Sequence, residues 1–280
     1  PCIECNRSIK FDRLLERAGR MGFESLATGH HARITRGDGG VSHRLRRGAD
    51  PEKDQSYVLS MLGQAELARV MFPVGNMTKR DVRAEARRLG LRTAAKPDSQ
   101  DVCFVSRIGG RQAFLGNRIP LRPGVVVDSP GTTVGTVPAV ELVTVGQRRG
   151  LGTPSPPPRP ATGGNRPSPT KADRQFVTDV DMAAAVVTIG PLEDLLVDEL
   201  EVTDQTWVEG PVADGAPVEV QTSAHGRPIP ARWQSGRLHL AQPIRRVAPG
   251  QSVVLYEGDR VLGGGIATDR HGGPAVAPAR

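Results

Sequence analysis

Pro97-Asp98-Ser99-Gln100-Asp101-Val102-Cys103-Phe104-Val105 is the stretch on which the reading of this chain turns. It follows a helix with clear start signals, and it sets one cysteine between Val102 and Phe104, close to acidic and amide side chains. The chain has three cysteines, and the other two stand at its opening, Pro1-Cys2-Ile3-Glu4-Cys5-Asn6. An odd and small number of thiols disfavours a disulfide framework and fits a reducing, cytoplasmic setting. Each thiol therefore needs its own account.

A chain of 280 residues buries a sizeable core, and its length suggests about two domains. No apolar run reaches membrane-span length and no charged-then-apolar signal opens the chain, so no membrane partner is expected. The first residue is proline, and a CxxC follows at once with no strand before it. The chain thus reads as a fragment whose N-terminal part is missing. A net charge of +7 and a pI near 9.9 point to a polyanionic partner, nucleic acid first. Arginine far outnumbers lysine, which a GC-rich coding sequence also produces. Aromatic residues make up 4%, which argues against base stacking as the main mode of RNA binding.

Asn6 or Ser8 is expected to cap a helix with an apolar face of Ile9, Phe11, Leu14, Leu15, Ala18 and Met21, stopped at Gly22. Cys5 would then lie at or just before the helix N-terminus, where the macrodipole favours negative charge. Ser25 to Gly29 reads as a short buried strand ending in glycine, the tail of an α/β unit. Glycine there permits close approach of backbone to a ligand. His30 and His31 follow, as readable as ordinary strand-end histidines as they are as ligands. Helical periodicity is expected through Val58, Leu62, Leu67, Val70 and Met71, closed by Pro73. Thr78 to Asp81 is a capping box for a helix with Val82, Ala86 and Leu89 inward and Gly90 after it. Beyond about Gly110, Gly and Pro punctuate short alternating runs: Gly124 to Asp128, Val218 to Thr222, Arg237 to Leu240 and Ser252 to Tyr256. These suggest an antiparallel barrel or sandwich. Pro154 to Thr170 is a low-complexity insert expected to be a disordered loop, as is the tail from Arg270.

From the residues alone, three chemistries stay open. Cys2 and Cys5, with Cys103 and His30, could form a Cys3His zinc site, although a second CxxC or a CxxH is missing. The thiols could be reactive, although no thioredoxin-type strand precedes the CxxC. Cys103 could simply be a buried apolar cysteine.

Six blocks occur in order: PCIECNRSIKF, SLATGHHARI, GADPEKDQSYVL, FPVGNMTKRDVRAEARRLGL, KPDSQDVCFV and TVGQRRGLG. Together they resemble the tRNA-specific 2-thiouridylases (MnmA/TrmU), which thiolate the wobble uridine of certain tRNAs. The likeness covers most of the first 152 residues, and VEVQTSAHG and VLGGGIAT extend it more loosely. It implies an α/β domain of the Rossmann-like pyrophosphate-loop type, incomplete here, followed by a mainly β C-terminal barrel. The implied division is 1–66 for the nucleotide-binding part, 67–130 for a central segment carrying Cys103, and 131–280 for the barrel.

The implied activity is that of a tRNA-uridine 2-sulfurtransferase using ATP, with Mg2+ and no tightly bound metal cofactor. ATP adenylates the uridine C2 oxygen. A relay protein or cysteine desulfurase loads Cys103 as a persulfide, and Cys5 releases the thiolated base by forming a transient disulfide with Cys103. Cys2 matches a position beside the target base and takes a supporting role. Gly29 matches an ATP contact. Lys53, Asp54 and Gln55 match a tRNA-contacting segment. Gln147, Arg148 and Arg149 lie in a signature loop expected to hold tRNA phosphates. Some positions depart from the pattern. The SGGVDSS-type loop does not occur in these 280 residues, His31 replaces the usual Tyr, Val143 stands where an aromatic is common, and Ser223 stands where Arg is common. The rival expectation is a non-catalytic, zinc-stabilised RNA-binding module, which would retain stoichiometric metal on purification.

Overall fold

In the computed structural model, which describes residues 2–96, 110–152 and 174–268, the chain is helical from Cys2 onward. The Cys103 stretch, the Pro-rich insert and the C-terminal tail lie outside the described residues. One helix runs through an α-helical turn Cys2–Glu4, a π-helical segment Cys5–Arg13 and an α-helical segment Leu14–Arg20. Its buried residues are Asn6, Phe11, Leu15 and Ala18, at spacings of five, four and three. In α geometry a five-residue step turns the side chain about 140° away, given 3.6 residues per turn. The wider π turn, marked by the Leu14 N–H donating to the Ile9 carbonyl, returns Asn6 to the face of Phe11.

This corrects the expected caps. Asn6 is 3% exposed and points into the core, and Ser8 Oγ donates to Glu4 Oε1 on the surface. Ile9, Leu14 and Met21, expected inward, are exposed because the π segment rotates the apolar stripe. Gly22, at φ +83°, ends the helix as expected, with Phe23 N donating to Ala18 O at 2.9 Å.

β1 (Leu26–Ala27) follows, then the antiparallel hairpin of β2 (Ala32–Arg36) and β3 (His43–Arg47). The helix expected through Val58 to Met71 does not form. Ser56–Leu59 is a 3-10 turn and Gln64–Leu67 a single α turn, and Val70 and Met71 form β4 (Val70–Met71). Gly63 explains the break: its extended backbone (ψ −173°) starts a new turn, while its N–H donates to Glu66 Oε2 at 3.0 Å. β4 pairs in parallel with β1, Leu26 opposite Val70, the arrangement of an α/β unit. The Thr78–Asp81 capping box forms as expected, with Asp81 N donating to Thr78 Oγ1 and Thr78 N to Asp81 Oδ2, both at 3.2 Å. On its helix, Lys79–Arg88, Val82 and Ala86 are half-buried, whereas Leu89 is 56% exposed rather than inward.

Contacts gather the described residues into two units. One holds those of Ser99–Asp198 and Pro243–Ala248. Its sheet takes β5 (Gly124–Asp128), β6 (Thr133–Val137), β7 (Phe176–Asp181) and β8 (Val186–Gly190) in the order β6-β5-β8-β7, around Val126, Val140, Val177 and Val187. The other holds those of Pro1–Asp98, Glu199–Gln242 and Pro249–Arg280. The remaining strands are β9 (Leu196–Trp207), β10 (Pro217–Gln221), β11 (Ile229–Gln234), β12 (Arg237–Arg245), β13 (Ser252–Glu257) and β14 (Arg260–Thr268). They run in the order β13-β10-β11-β12-β9-β14, and pairing of β13 with β14 closes the ring. A closed six-stranded barrel, rather than a sandwich, is the outcome, and closure removes the exposed edges.

β14 is the closing strand, and it also pairs with β3. Its run Gly263-Gly264-Gly265 lets neighbouring backbones approach: a Cβ on Gly264 would sit 2.3 Å from Val253 O, and one on Gly265 2.4 Å from Thr203 O. The core of this unit joins Phe11, Leu15, Leu45, Leu59, Leu62 and Phe72 to Val208, Val254, Tyr256 and Val261 of the barrel segments. Each fully buried Leu or Phe there contributes roughly 1.5–3 kcal/mol.

Two stability measurements follow from this packing. Gly264→Ala forces β13 and β14 apart and should cost about 1–3 kcal/mol in chemical denaturation. Gly29→Ala, with nothing within 4 Å of its added Cβ, should stay within about 0.5 kcal/mol of the parent. The second measurement concerns His30, which is buried between Phe11 and Phe72, each ring centroid 5.8 Å away, with Nδ1 2.8 Å from Thr28 Oγ1. Burial first, then Lys10 and His31, lower its pKa from 6.5 to about 4. The unfolded chain takes up this proton more readily, so stability is present above pH 6.5 and is lost as pH falls toward 4. The loss should reach about 2 kcal/mol by pH 4.5. His30→Asn, which keeps a polar atom near Thr28, should flatten this slope in denaturation curves recorded at pH 7 and 4.5. An unchanged slope would remove His30 as its source.

Candidate active site

Cys2 and Cys5 are free thiols on the N-terminal helix, Cys2 exposed and Cys5 half-exposed. Cys5 lies inside the helix and not ahead of it, because the helix already runs at Cys2. The neighbour of Cys5, Asn6, is buried and donates Nδ2 to Val58 O at 3.1 Å, which fixes the helix to the turn Ser56–Leu59. Five residues further on, Phe11 packs against His30, so the Cys5 helix and the segment after β1 share a contact.

The turn is itself held by Asp54. Its Oδ1 accepts from Gly48 N at 2.9 Å and Ser56 N at 3.0 Å, and its Oδ2 accepts from Ser56 Oγ and Arg47 Nη1, both at 2.9 Å. Four donors surround a side chain that is only 10% exposed, so its carboxylate is engaged within the protein. Arg47 donates Nη2 to Gln221 Oε1 at 3.0 Å, and its guanidinium lies 3.7 Å from the centre of the Tyr256 ring. Ser56 Oγ meets Tyr256 Oη at 3.2 Å, and Tyr57 Oη donates to Ser252 O at 2.8 Å. Burial raises the pKa of both phenols, Tyr57 to about 12, so both remain protonated hydrogen-bond partners.

Gln55 turns the other way, accepting from His31 N at 2.9 Å through Oε1, while Gln55 N donates to His31 O at 2.9 Å. Lys53 N donates to Asp50 O at 3.1 Å. The segment Lys53, Asp54, Gln55 therefore joins three parts of the unit: the Cys5 helix through Val58, the Gly29 segment through Gln55, and the barrel through Arg47 and Ser56.

Gly29 is exposed, and nothing lies within 4 Å of a Cβ added to it. It stands just beyond the carboxyl ends of the parallel strands β1 and β4, where Thr28 N donates to Met71 O at 3.0 Å. In open parallel α/β sheets this is the side on which ligands bind. Gln147, Arg148 and Arg149 belong to the other unit. Gly146 takes φ +85°, its N–H donates to Val177 O, and Val177 N donates to Gln147 O, both at 2.8 Å. Gln147 Nε2 donates to Arg149 O at 2.8 Å, closing the loop, and Arg148 and Arg149 are exposed. Cys103 lies outside the described residues. Among those that are described, no cluster of three or more His, Cys, Asp or Glu could hold a metal. No helix among them is long and apolar enough to cross a membrane.

Sequence reading missed the structural roles of Arg47, Gln221, Tyr256 and Asn6. The first three meet across 174 residues and more, with no local signal. Asn6 had a signal in the five-residue step to Phe11, which only a π turn places on one face.

Two family descriptions match the chain: "tRNA methyl transferase HUP domain" over residues 1–107 and "Aminomethyltransferase beta-barrel domain" over residues 197–267. They agree with the parallel β1–β4 unit and the closed barrel, so the chain has a HUP, Rossmann-like domain followed by a β-barrel domain. The tRNA-specific 2-thiouridylase MnmA of Mycobacteroides abscessus is 45% identical over 96% of this chain and 72% of its own length. That of Chloroflexus aggregans is 45% identical over 95% and 71%, and that of Mycolicibacterium smegmatis 42% over 96% and 73%. With this identity sustained over nearly all of its length, the chain belongs to the tRNA-specific 2-thiouridylase family.

Proposed function

We propose that this protein is a tRNA-uridine 2-sulfurtransferase that replaces the C2 oxygen of the wobble uridine with sulfur. The observation that carries the reading is Cys5: a free, half-exposed thiol on a helix tied both to the Gly29 segment and to the Lys53–Gln55 turn. ATP, with Mg2+ on its phosphates, supplies the adenylyl group that turns the C2 oxygen into a leaving group. Gly29, open at the strand ends, lies against the nucleotide. Cys103 carries the persulfide, loaded by a relay protein or a cysteine desulfurase.

The terminal sulfur of Cys103 attacks C2 and AMP departs. The Cys5 thiolate then attacks the Cys103 Sγ, and the bond from that sulfur to the transferred sulfur breaks. The base leaves with its new sulfur, and the Cys5–Cys103 disulfide awaits reduction. Cys2, one helical turn before Cys5, stands beside the base in a supporting role. Lys53, on the segment shaped by Asp54 and Gln55, contacts tRNA, while Gln147 shapes the loop that offers Arg148 and Arg149 to phosphates. Residues 1–66 and 67–130 act as nucleotide-binding part and Cys103 segment, and the enzyme acts in the cytoplasm. The barrel of the division 131–280 is confined to the strands from Leu196 to Thr268, with β6, β7 and β8 in a separate sheet.

The test uses these 280 residues preceded by a family pyrophosphate-loop segment, with ATP, a persulfide donor and unmodified tRNA. Mass spectrometry should find 2-thiouridine in the parent and none in Cys103→Ser, since a hydroxyl cannot carry a persulfide. Cys5→Ser should also make none, yet still accumulate persulfide on the Cys103 peptide, and Cys2→Ala should lose less. Thiolation that survives Cys5→Ser would overturn the division of labour.

A further inference from the structure

We infer that Asn6 is a positioning residue for Cys5: its carboxamide, anchored on Val58, sets the rotation of the helix that presents the thiol. The inference rests on the proposal above only in taking Cys5 as the reacting group.

Three observations carry it. First, Asn6 is 3% exposed, and its Nδ2 makes a hydrogen bond to a backbone carbonyl 52 residues away. Second, its Oδ1 is buried without a partner among the described residues. A buried unsatisfied carbonyl costs free energy, which offsets much of what the Nδ2 bond to Val58 contributes to stability. Stability of the helix is therefore a poor account of an amide at this place. Third, the π-helical segment begins at Cys5. An α-helix traced back from Phe11 would put Arg7 or Ser8 on the buried face, three and four residues away. The widened turn puts Asn6 there, and so fixes which way its neighbour Cys5 faces. A π turn is uncommon and is found where a helix must re-aim a side chain. Here the bond to Val58 holds the re-aimed turn against the core.

The anchor is itself rigid. Val58 lies in the turn Ser56–Leu59, whose first residue is bound twice by Asp54. The orientation of Cys5 is thus set from the same carboxylate that braces the barrel through Arg47, by way of a single side-chain amide.

The experiment compares Asn6→Ala and Asn6→Ser with Phe11→Leu, which loosens the same helix by packing alone and keeps the amide bond. Two readouts are taken on each folded protein. One is the alkylation rate of Cys5 by iodoacetamide, followed on its peptide by mass spectrometry, which needs no thiolation activity. The other is steady-state thiolation by the same variants preceded by the pyrophosphate-loop segment, with a thiol reductant present, read separately as kcat and KM for tRNA. With the anchor gone, Cys5 alkylation should rise about fivefold and kcat fall about 100-fold, the scale expected when a reacting group is misplaced by about 1 Å, with KM within about twofold. Phe11→Leu should leave both readouts near the parent, even at an equal loss of Tm. If either Asn6 variant alters Cys5 no more than Phe11→Leu does, Asn6 is only structural and the inference is overturned. If alkylation changes as expected but no protein, parent included, thiolates tRNA, the positioning role stands and the proposed reaction fails. Should Asn6→Ala not fold, Asn6→Ser, with a small hydroxyl in place of the amide, decides the same question.

Discussion

A single carboxylate largely withdrawn from water, that of Asp54, is the point from which the larger unit is braced. Removing a carboxylate from water is costly unless its lone pairs are filled, and here four donors fill them. Two come from the backbone of Gly48 and Ser56, which shapes the loop between β3 and the following turn. One comes from Arg47, whose guanidinium continues to Gln221 and the face of Tyr256 in the barrel. The loop cannot relax without leaving a poorly solvated charge short of donors, so the Rossmann-like segment and the barrel strands of this unit share one corner. Breaking such a pair from one side is expected to cost about 3–5 kcal/mol when fully buried, and less where Arg47 reaches solvent.

The sulfur transfer proposed for this chain needs this kind of corner because the parts assigned to it lie far apart in the sequence. On the proposed reading, a thiol near residue 5, a segment near residue 29 taken as the nucleotide contact and one near residue 53 taken as the RNA contact must hold a common geometry while tRNA comes and goes. Gln55 ties the second of these to the turn and Asn6 ties the first. Wholly or partly exposed positions then stand beside buried ones. In each pair the exposed and buried roles fall on adjacent residues: Cys5 and Asn6, Gly29 and His30.

Much of the architecture was legible in the sequence where local chemistry decides it. The Thr78 capping box and the Gly22 stop need no distant partner to form, and alternation with turn residues marked the strands, although Gly124 to Asp128 pairs in parallel with Val186 to Ile189 in a sheet of its own and not in the barrel. The family likeness carried by the ordered blocks was legible too, and the relatives bear it out. What was hidden depends on partners far away or on an unusual turn. The apolar period from Val58 to Met71 looked helical because buried residues recur at helical spacing, yet Gly63 breaks the run and the strand partner of Val70 is Leu26. The π segment reversed the sides expected of Asn6 and Ile9. Asp54, read as an RNA contact from its block, has a carboxylate turned inward to donors from Gly48, Ser56 and Arg47. No spacing rule joins Ser56 to Tyr256 across 200 residues. Cys103, from which the sequence reading began, lies outside the described residues, and its role stays with the proposed mechanism.

The most direct test of the bracing role is hydrogen exchange on Asp54→Asn, a change that keeps shape and removes charge. If Asp54 braces the unit, slow amides of the N-terminal helix, of β1 and of β13 and β14 should all lose protection by a similar factor, because they open through one shared corner. Loss of protection confined to residues 48–59, with the helix and the barrel unchanged, would contradict it.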